Sequence, residues 1–301
     1  MSNILLRLPV ESVHAILALL PFDALQKLAS LSKIHRGCVV AYLNHRKSTL
    51  LAQFFNYPTA FIELLRLTSS VVSGSVALQM LLPAVSVRWS SSNIDIYVPR
   101  SQVIIVMAYL AQQNYQTVCV GGDRPVRSQS SVHTVVAMIN GSKTIEIVVS
   151  ITECAVRPVF QIHSTIVMNY ITHNGFFSAY PKLTGQYRAL FNVMSMRDAR
   201  LVLGNMQALV KFQRRGFDVQ SVATAWDEED GIPHECGNNV NCPHLLRSSD
   251  DAGCLWMTLD MADNVPDEFH CADEPVVLWC MGGEGCDGAE RLDSGSFLTV
   301  L

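Results

Sequence analysis

Asp95 and Glu146 are the residues of this chain best placed to do chemistry. Each lies in a segment that interleaves aliphatic residues with others, NIDIYV (93–98) and TIEIVVS (144–150). Side chains along a strand alternate faces. Ile94, Ile96 and Val98 therefore share one face, and Asn93, Asp95 and Tyr97 the other. In the second segment Ile145, Ile147 and Val149 leave Glu146 on the opposite face. A carboxylate among aliphatic neighbours is costly unless it is paired or metal-bound. If the two strands are neighbours, the carboxylates converge and can hold magnesium, which neutralises a triphosphate and positions an attacking oxygen. Gly74-Ser75 suits the same chemistry. Glycine lets the backbone approach a phosphate, and the N–H groups of the helix that follows point at it.

The elements that must position these groups form a central unit over about residues 56–218. FIELLRLT reads as a helix, SSVVSG as a short strand ending at Gly74, Ser75 to Leu82 as a helix and Asn93 to Val98 as a strand. Gln102 to Gln113 is a further helix. TVVAMIN and KTIEIVVSI, split by Asn140-Gly141, read as a hairpin with a type I′ turn. STIVMNYIT reads as a helix capped by Ser164, and MRDARLVLGNMQALVKFQRRGF as a long amphipathic helix. Before this unit, residues 1–49 suggest three short helices. Pro9 stands near the start of the first and Pro21 stops it, with Val13, Ile16, Leu17 and Leu20 on one face. Asp23 is the expected N-cap of the second, and the third runs from Ser32 through Tyr42. After the unit, residues 219–301 read as a β-rich appendage with strands at SVATAWD, GCLWMTLD and PVVLWC. The expected class is α+β.

SGSVALQML followed by SNIDIYVP resembles the nucleotidyltransferase-fold motif, a glycine-serine pair and then an acidic pair on a strand, with Glu146 in the place of the third acidic residue. In the N-terminal zone the order Leu8-Pro9, Glu11, Ile16, Leu20, Leu25, Leu28, Ser32 and Arg36 resembles the F-box, which binds the Skp adaptor of cullin-type ubiquitin ligases. The other reading of that zone is a helical cap on the next domain. More narrowly, the chain is similar to a group of fungal proteins that join an F-box-like N-terminus to a nucleotidyltransferase-like domain. GSVAL, NIDIYVP, FQIHSTIVMN, the RRGF turn and CPHLLR carry that similarity, which spans roughly Leu8 to Cys254. The resemblance implies a substrate-receptor or interaction protein that offers Leu8, Pro9, Ile16 and Leu20 to an adaptor. The alternative is a magnesium-dependent nucleotidyltransferase acting through Asp95 and Glu146 on RNA or protein, with Gly74 and Ser75 at the nucleotide. The chain departs from an active pattern at Asn93, whose amide brings no charge where the first acid of the pair belongs. That departure favours a degenerate domain, a pseudoenzyme in which Asp95 is a remnant hydrogen-bonded to Ser73, Ser75 or Lys143. Asp123 and Glu153 flank the motif without replacing the missing charge.

Other clusters point elsewhere. His234, Cys236, Cys242, His244 and Cys254 crowd one segment. Zinc takes four such ligands, so Cys236, Cys242, His244 and Cys254 are candidates for a structural zinc, although no CxxC pair is present. The alternative is a set of reduced loop thiols. His163 reads as a packed, hydrogen-bonded histidine rather than a base. Arg214 and Arg215 complement a helix dipole or contact phosphate. The four tryptophans form no stacking series for single-stranded nucleic acid. No cofactor is expected on the receptor reading, and magnesium with a nucleoside triphosphate on the other.

Composition bounds all of this. The chain has 301 residues, 49% of them hydrophobic and 16% charged, with a formal charge of -4 and a pI of about 6.1. That supports a sizeable core and gives no sign of a broad electrostatic grip on nucleic acid, while a local basic groove stays open. The apolar run from Val103 to Ala111 is too short to cross a bilayer. The start lacks the apolar centre and cleavage site of a signal peptide. The expectation is a cytoplasmic or nuclear protein with no membrane contact, whose nine cysteines are mostly reduced.

Overall fold

Prolines set the N-terminal helices of the computed structural model, which describes residues 7–120, 131–196, 199–226, 231, 235–260, 275–282 and 298–300. Helix α1 (Val10–Leu17) starts directly after Pro9, and α2 (Phe22–Ser30) directly after Pro21. Asp23 is not the cap of α2. It sits inside the first turn and pairs with Lys27 at 3.3 Å, because Pro21 already holds the extended backbone that a cap residue needs. Ser32 caps α3 (Lys33–Ala52), its Oγ accepting from the His35 N–H. That helix runs ten residues beyond the expected end at Tyr42. The periodicity fades there because two of its inward positions are polar. Arg46 donates to the Leu82 carbonyl at 2.6 Å and to that of Gln79, and Lys47 donates to the His173 carbonyl at 2.8 Å. Burial holds the Lys47 amine down at about 8.

The chain then alternates helices and strands. Helix α4 (Pro58–Thr68) ends on Ser69 in the left-handed conformation. Strand β1 (Val71–Ser73), α5 (Gly74–Leu81), β2 (Asn93–Val98), α6 (Val103–Gln112) and β3 (Gln116–Val120) follow. Strands β4 (Val132–Asn140) and β5 (Lys143–Ser150) form the expected hairpin, with Asn140 opposite Lys143. Its turn centres on Gly141 and Ser142. Only Gly141 has positive φ, at 59°, so the turn belongs to type II′ rather than I′, which needs positive φ at both central residues. The segment expected as a helix after Ser164 is instead a single 3-10 turn, Thr165–Val167, leading into β6 (Asn169–Ile171). Ser164 makes no capping bond. Tyr170, Ile171 and their neighbours are strand formers, and β7 (Gly175–Ser178) completes a hairpin with them. Helix α7 (Pro181–Gly185), β8 (Arg188–Leu190), α8 (Ala199–Arg214) and β9 (Asp218–Gln220) come next. SVATAWD forms a 3-10 turn, Ala223–Trp226, not a strand. The remaining strands are β10 (Arg247–Ser248), β11 (Leu255–Thr258), β12 (Val277–Trp279) and β13 (Leu298–Val300).

The result is a mixed helix-and-strand architecture around one mixed sheet of eight strands, in the order β11-β7-β6-β1-β2-β5-β4-β3. Strands β2 and β5 run parallel, and the other described neighbours in that sheet are antiparallel. Strand β11, from the segment expected to form an appendage, supplies one edge of the central sheet through four pairs with β7, Leu255 with Ser178 to Thr258 with Gly175. Strands β10, β12 and β13 form a separate three-stranded sheet, and β8 pairs with β9.

Alternation along the strands splits the core into two layers. Ile94, Ile96, Val98, Ile145, Ile147 and Val149 pack against the helical side, where Val13, Leu17, Leu25, Leu43, Phe61 and Leu65 meet them. Val71, Tyr97, Val148, Tyr170 and Phe177 face a second cluster with Val159, Phe160 and Trp279. A smaller cluster ties α5 to α8 through Leu78, Leu82, Phe212 and Phe217. Full burial of a Val or Leu side chain contributes about 1.5–3 kcal/mol, so Val13 and Leu17 hold α1 to the helical layer, where it packs on α3.

Candidate functional site

The parallel pairing of β2 with β5 sets Asp95 opposite Glu146 and Asn93 opposite Thr144. Residues paired in this way point to the same side of a sheet, so the two carboxylates stand side by side. Strand β1 adds Ser73 to the same row, opposite Asp95. That row ends where β1 turns into α5. Gly74 takes φ 67° there, and a Cβ added to it would overlap Asp95 Oδ2 and lie 2.9 Å from Asp95 Cγ. Glycine is thus required twice, for its backbone conformation and for the space that the carboxylate fills.

Hydrogen bonds distribute the surrounding groups. Asn93 Nδ2 donates to Asp95 Oδ1 at 3.0 Å. The amide at the missing acidic position therefore turns its donor, not its oxygen, toward the neighbouring carboxylate. Ser73 and Ser75 are engaged elsewhere. Ser73 Oγ donates to the Asn169 carbonyl at 2.6 Å, and Ser75 Oγ accepts from Arg215 Nη1 at 2.9 Å. The Arg215 guanidinium lies 3.6 Å from the centre of the Trp89 ring, a stacked cation–π contact. Arg215 thus does more than complement the dipole of α8, and Trp89 in the loop after α5 has a defined partner. Glu153 accepts from Ser101, away from the pair, and Asp123 lies outside the described residues.

Electrostatics mark Asp95 as the unusual member. Protein atoms surround it closely, but some of its surface remains accessible. Burial first, and then the charge of Glu146, push its carboxyl up to about 7, against the opposing pull of Lys211 and the Asn93 hydrogen bond. The Tyr97 hydroxyl rises too, through burial and then the charges of Asp95 and Glu146. Lys211, on α8, is the nearest counter-charge. Burial and Arg215 lower its affinity for a proton, while Asp95 and Glu146 raise it. Burial and then Lys211 also hold the His163 imidazole down at about 4. His163 is packed against Phe212, with ring centres 5.9 Å apart, but its Nδ1 has no hydrogen-bond partner among the described residues. The expected hydrogen bond is absent at that nitrogen, because the elements packed around the ring bring it no acceptor or donor. Beside Lys211, α8 lines an open groove of about 550 Å³ with Met206, Gln207, Val210, Lys211, Arg214 and Arg215.

Comparison with protein-family models, with curated proteins and with solved structures returns no match.

The remaining candidates separate. Leu8, Pro9 and Ile16 are exposed on the N-terminal helices, Leu8 at 37% and Ile16 at 40%. Leu20 follows the end of α1 at Leu17 and packs half-buried against the core. The expected single face of Val13, Ile16, Leu17 and Leu20 is therefore divided, with Val13 and Leu17 turned inward. Of the proposed zinc ligands, Cys236 and Cys242 come together, with Sγ atoms 3.9 Å apart. Cys254 lies instead against Arg247, whose Nη2 is 3.4 Å from its sulfur. Among the described residues no group of three or more His, Cys, Asp or Glu is arranged to hold a metal ion, and His234 lies outside them. No described helix is long and apolar enough to cross a membrane.

Lys211 and the Arg215–Trp89 stack are the site residues that sequence reasoning missed. One signal was available for Lys211. It precedes Arg215 by four residues and so shares its face of the helix. Nothing in the sequence links Trp89 to Arg215.

Proposed function

We propose that this chain is an interaction protein of F-box type, a substrate receptor that docks a Skp-type adaptor through Leu8, Pro9 and Ile16 and presents a target on a degenerate nucleotidyltransferase-like domain. The observation that carries this reading is the division of the N-terminal helices. Val13, Leu17 and Leu25 anchor the module to the core, while Leu8, Val10, Ile16 and Leu19 remain exposed. A merely structural cap has no need of that second apolar surface. The engagement of the groups around the carboxylates supports the same reading. Asn93 spends its donor on Asp95, and Arg215 occupies the serine that would face a phosphate. Such a receptor works in the cytoplasm or nucleus. The Leu8→Asp/Ile16→Asp double variant is expected to lose capture of purified Skp-type adaptor with an unchanged melting temperature, since neither side chain is core. Full retention of capture sinks the reading.

A second reading rests on a separate observation, the adjacency of Asp95 and Glu146. Two adjacent carboxylates are suited to a divalent cation, and the reading is a magnesium-dependent transfer of a nucleotide to RNA or protein. Incubation with labelled nucleoside triphosphates and magnesium tests it. Label transferred by the parent chain and not by Asp95→Ala supports transfer. Equal label, or none, on both leaves the receptor reading alone.

A further inference from the structure

We propose that Cys236 and Cys242 are a redox pair, closing into a reversible intramolecular disulfide in exchange with small-molecule disulfides such as oxidised glutathione. The Cys242 thiol already donates to Cys236 Sγ at 3.9 Å. Bonded sulfurs lie about 2.05 Å apart, a gap that side-chain rotation can close. The backbone between them is folded to bring its ends together. The N–H groups of Asn238 and Asn239 both bond the Glu235 carbonyl at 3.2 Å, and the Cys242 N–H bonds the Asn239 carbonyl at 2.7 Å. Gly237 supplies the turn at φ 79°, and its N–H donates to Cys242 Sγ at 3.2 Å. That bond holds the Cys242 sulfur on the side of the turn where Cys236 lies.

Accessibility orders the steps. Cys236 is partly exposed and Cys242 is buried. The Cys236 thiolate attacks one sulfur of the small disulfide, forming a mixed disulfide and expelling one glutathione thiolate. The Cys242 thiol attacks the Cys236 sulfur and gives its proton to the second glutathione thiolate, which it expels. Two electrons and two protons pass from the dithiol to the glutathione disulfide. The other two described thiols of this region are engaged differently. Cys280 donates to the Pro243 carbonyl at 3.3 Å and Cys254 to the Ser248 carbonyl at 3.4 Å, and burial pushes both thiols up, away from the thiolate.

The link would act on more than its own loop. The Val240 carbonyl, inside the loop, accepts from Arg247 Nη1 at 2.6 Å, and Pro243 just beyond it accepts from the Gly282 N–H at 2.9 Å. Closing the loop fixes the seat of Arg247 and the exit of β12 together.

The test uses the full chain, equilibrated with excess reduced or oxidised glutathione, quenched with a maleimide and digested with trypsin. Residues 216–247 contain no Lys or Arg before Arg247, so both cysteines fall in one peptide. The reduced sample is expected to take up two maleimides on that peptide. The oxidised sample is expected to take up none and to lose the mass of two hydrogen atoms, reversibly with dithiothreitol. Cys236→Ser, at a partly exposed position, is expected to abolish the mass loss, while Cys280→Ser keeps it. Two maleimides after oxidation would overturn the proposal, as would a glutathione adduct that persists on the parent chain. So would a stoichiometric zinc ion released from the reduced parent protein on thiol blocking, since the pair would then be ligands.

Discussion

Two regions of the chain that draw charge out of solvent treat it in opposite ways. Around Arg247 the charge is fully answered. Its Nε and Nη2 bond the two oxygens of Asp251, the latter at 2.8 Å, and its remaining donors reach the carbonyls of Val240 and Ala179. Tyr180 and Trp279 lie against the guanidinium, 4.9 and 5.2 Å from their ring centres. Burial opposes ionisation of both partners, but the paired hydrogen bonds outweigh it, so the guanidinium holds its proton more firmly and the Asp251 carboxyl is held below its usual range. On the shared face of β2 and β5 two like charges stand side by side. Among the described residues one amide answers one oxygen of Asp95, and the charge of Lys211 only partly offsets the rest. A satisfied ion pair specifies structure, whereas an unsatisfied like-charge pair is a strain that something outside the fold, a proton or a cation, relieves. The first region thus answers its charge within the fold, and the second leaves its charge largely unanswered.

The largest effect expected to test this contrast comes from the satisfied region. Arg247→Ala leaves Asp251 without its partner and two carbonyls without a donor. Removing one partner of a buried pair costs about 3–5 kcal/mol. Urea denaturation at neutral pH should show that loss, and a loss below about 1 kcal/mol would mean that the Arg247 network is ornamental. Next comes Gly74→Ala, which strains the left-handed backbone and overlaps Asp95. The expected cost is about 2–3 kcal/mol. Adding Asp95→Ala to it separates the two causes. The overlap component should be regained in the double variant and the backbone component should not, so a fully additive pair of losses would show that the carboxylate does not rest against Gly74.

How much of this was legible in the sequence follows from the range of the forces involved. Alternation along 93–98 and 144–150 gave the two faces of the sheet, because period two is a local property of extended backbone. The adjacency of Asp95 and Glu146 was legible only as a condition, since nothing local says which strands pair. The extension of α3 past Tyr42 was hidden by Arg46 and Lys47. These read as surface residues until α5 and the loop at His173 supply their carbonyl acceptors. The strand at Asn169–Ile171 was mistaken for a helix because apolar residues there are buried on both sides, and a continuous apolar run carries no period. The zinc set of Cys236, Cys242, His244 and Cys254 was a grouping by sequence proximity. In space Arg247 claims Cys254, and Cys236 and Cys242 keep each other.

The smallest of these effects is the most telling, because its sign depends on pH. The Asp95 carboxyl lies at about 7 in the folded chain against 3.8 for the free group. Between those values the folded state binds more protons than the unfolded state, so stability falls as pH rises through this window. Below about pH 4 both states are protonated and the penalty vanishes. Each unit of displacement is about 1.4 kcal/mol, and the partial exposure of Asp95 reduces the sum, so the expected penalty above pH 7 is about 2 kcal/mol. Asp95→Asn keeps the shape and cannot ionise. It should therefore raise the melting temperature at pH 8 and leave it nearly unchanged at pH 4, a stabilisation that no satisfied ion pair would yield. Magnesium titrated into the parent chain at pH 8 divides the two readings of the site. If the carboxylates hold the ion, the metal recovers much of the same stability in the parent and none in Asp95→Asn. If Asp95→Asn is destabilising at pH 8, the carboxylate is a satisfied member of the fold, and the contrast with Arg247 collapses.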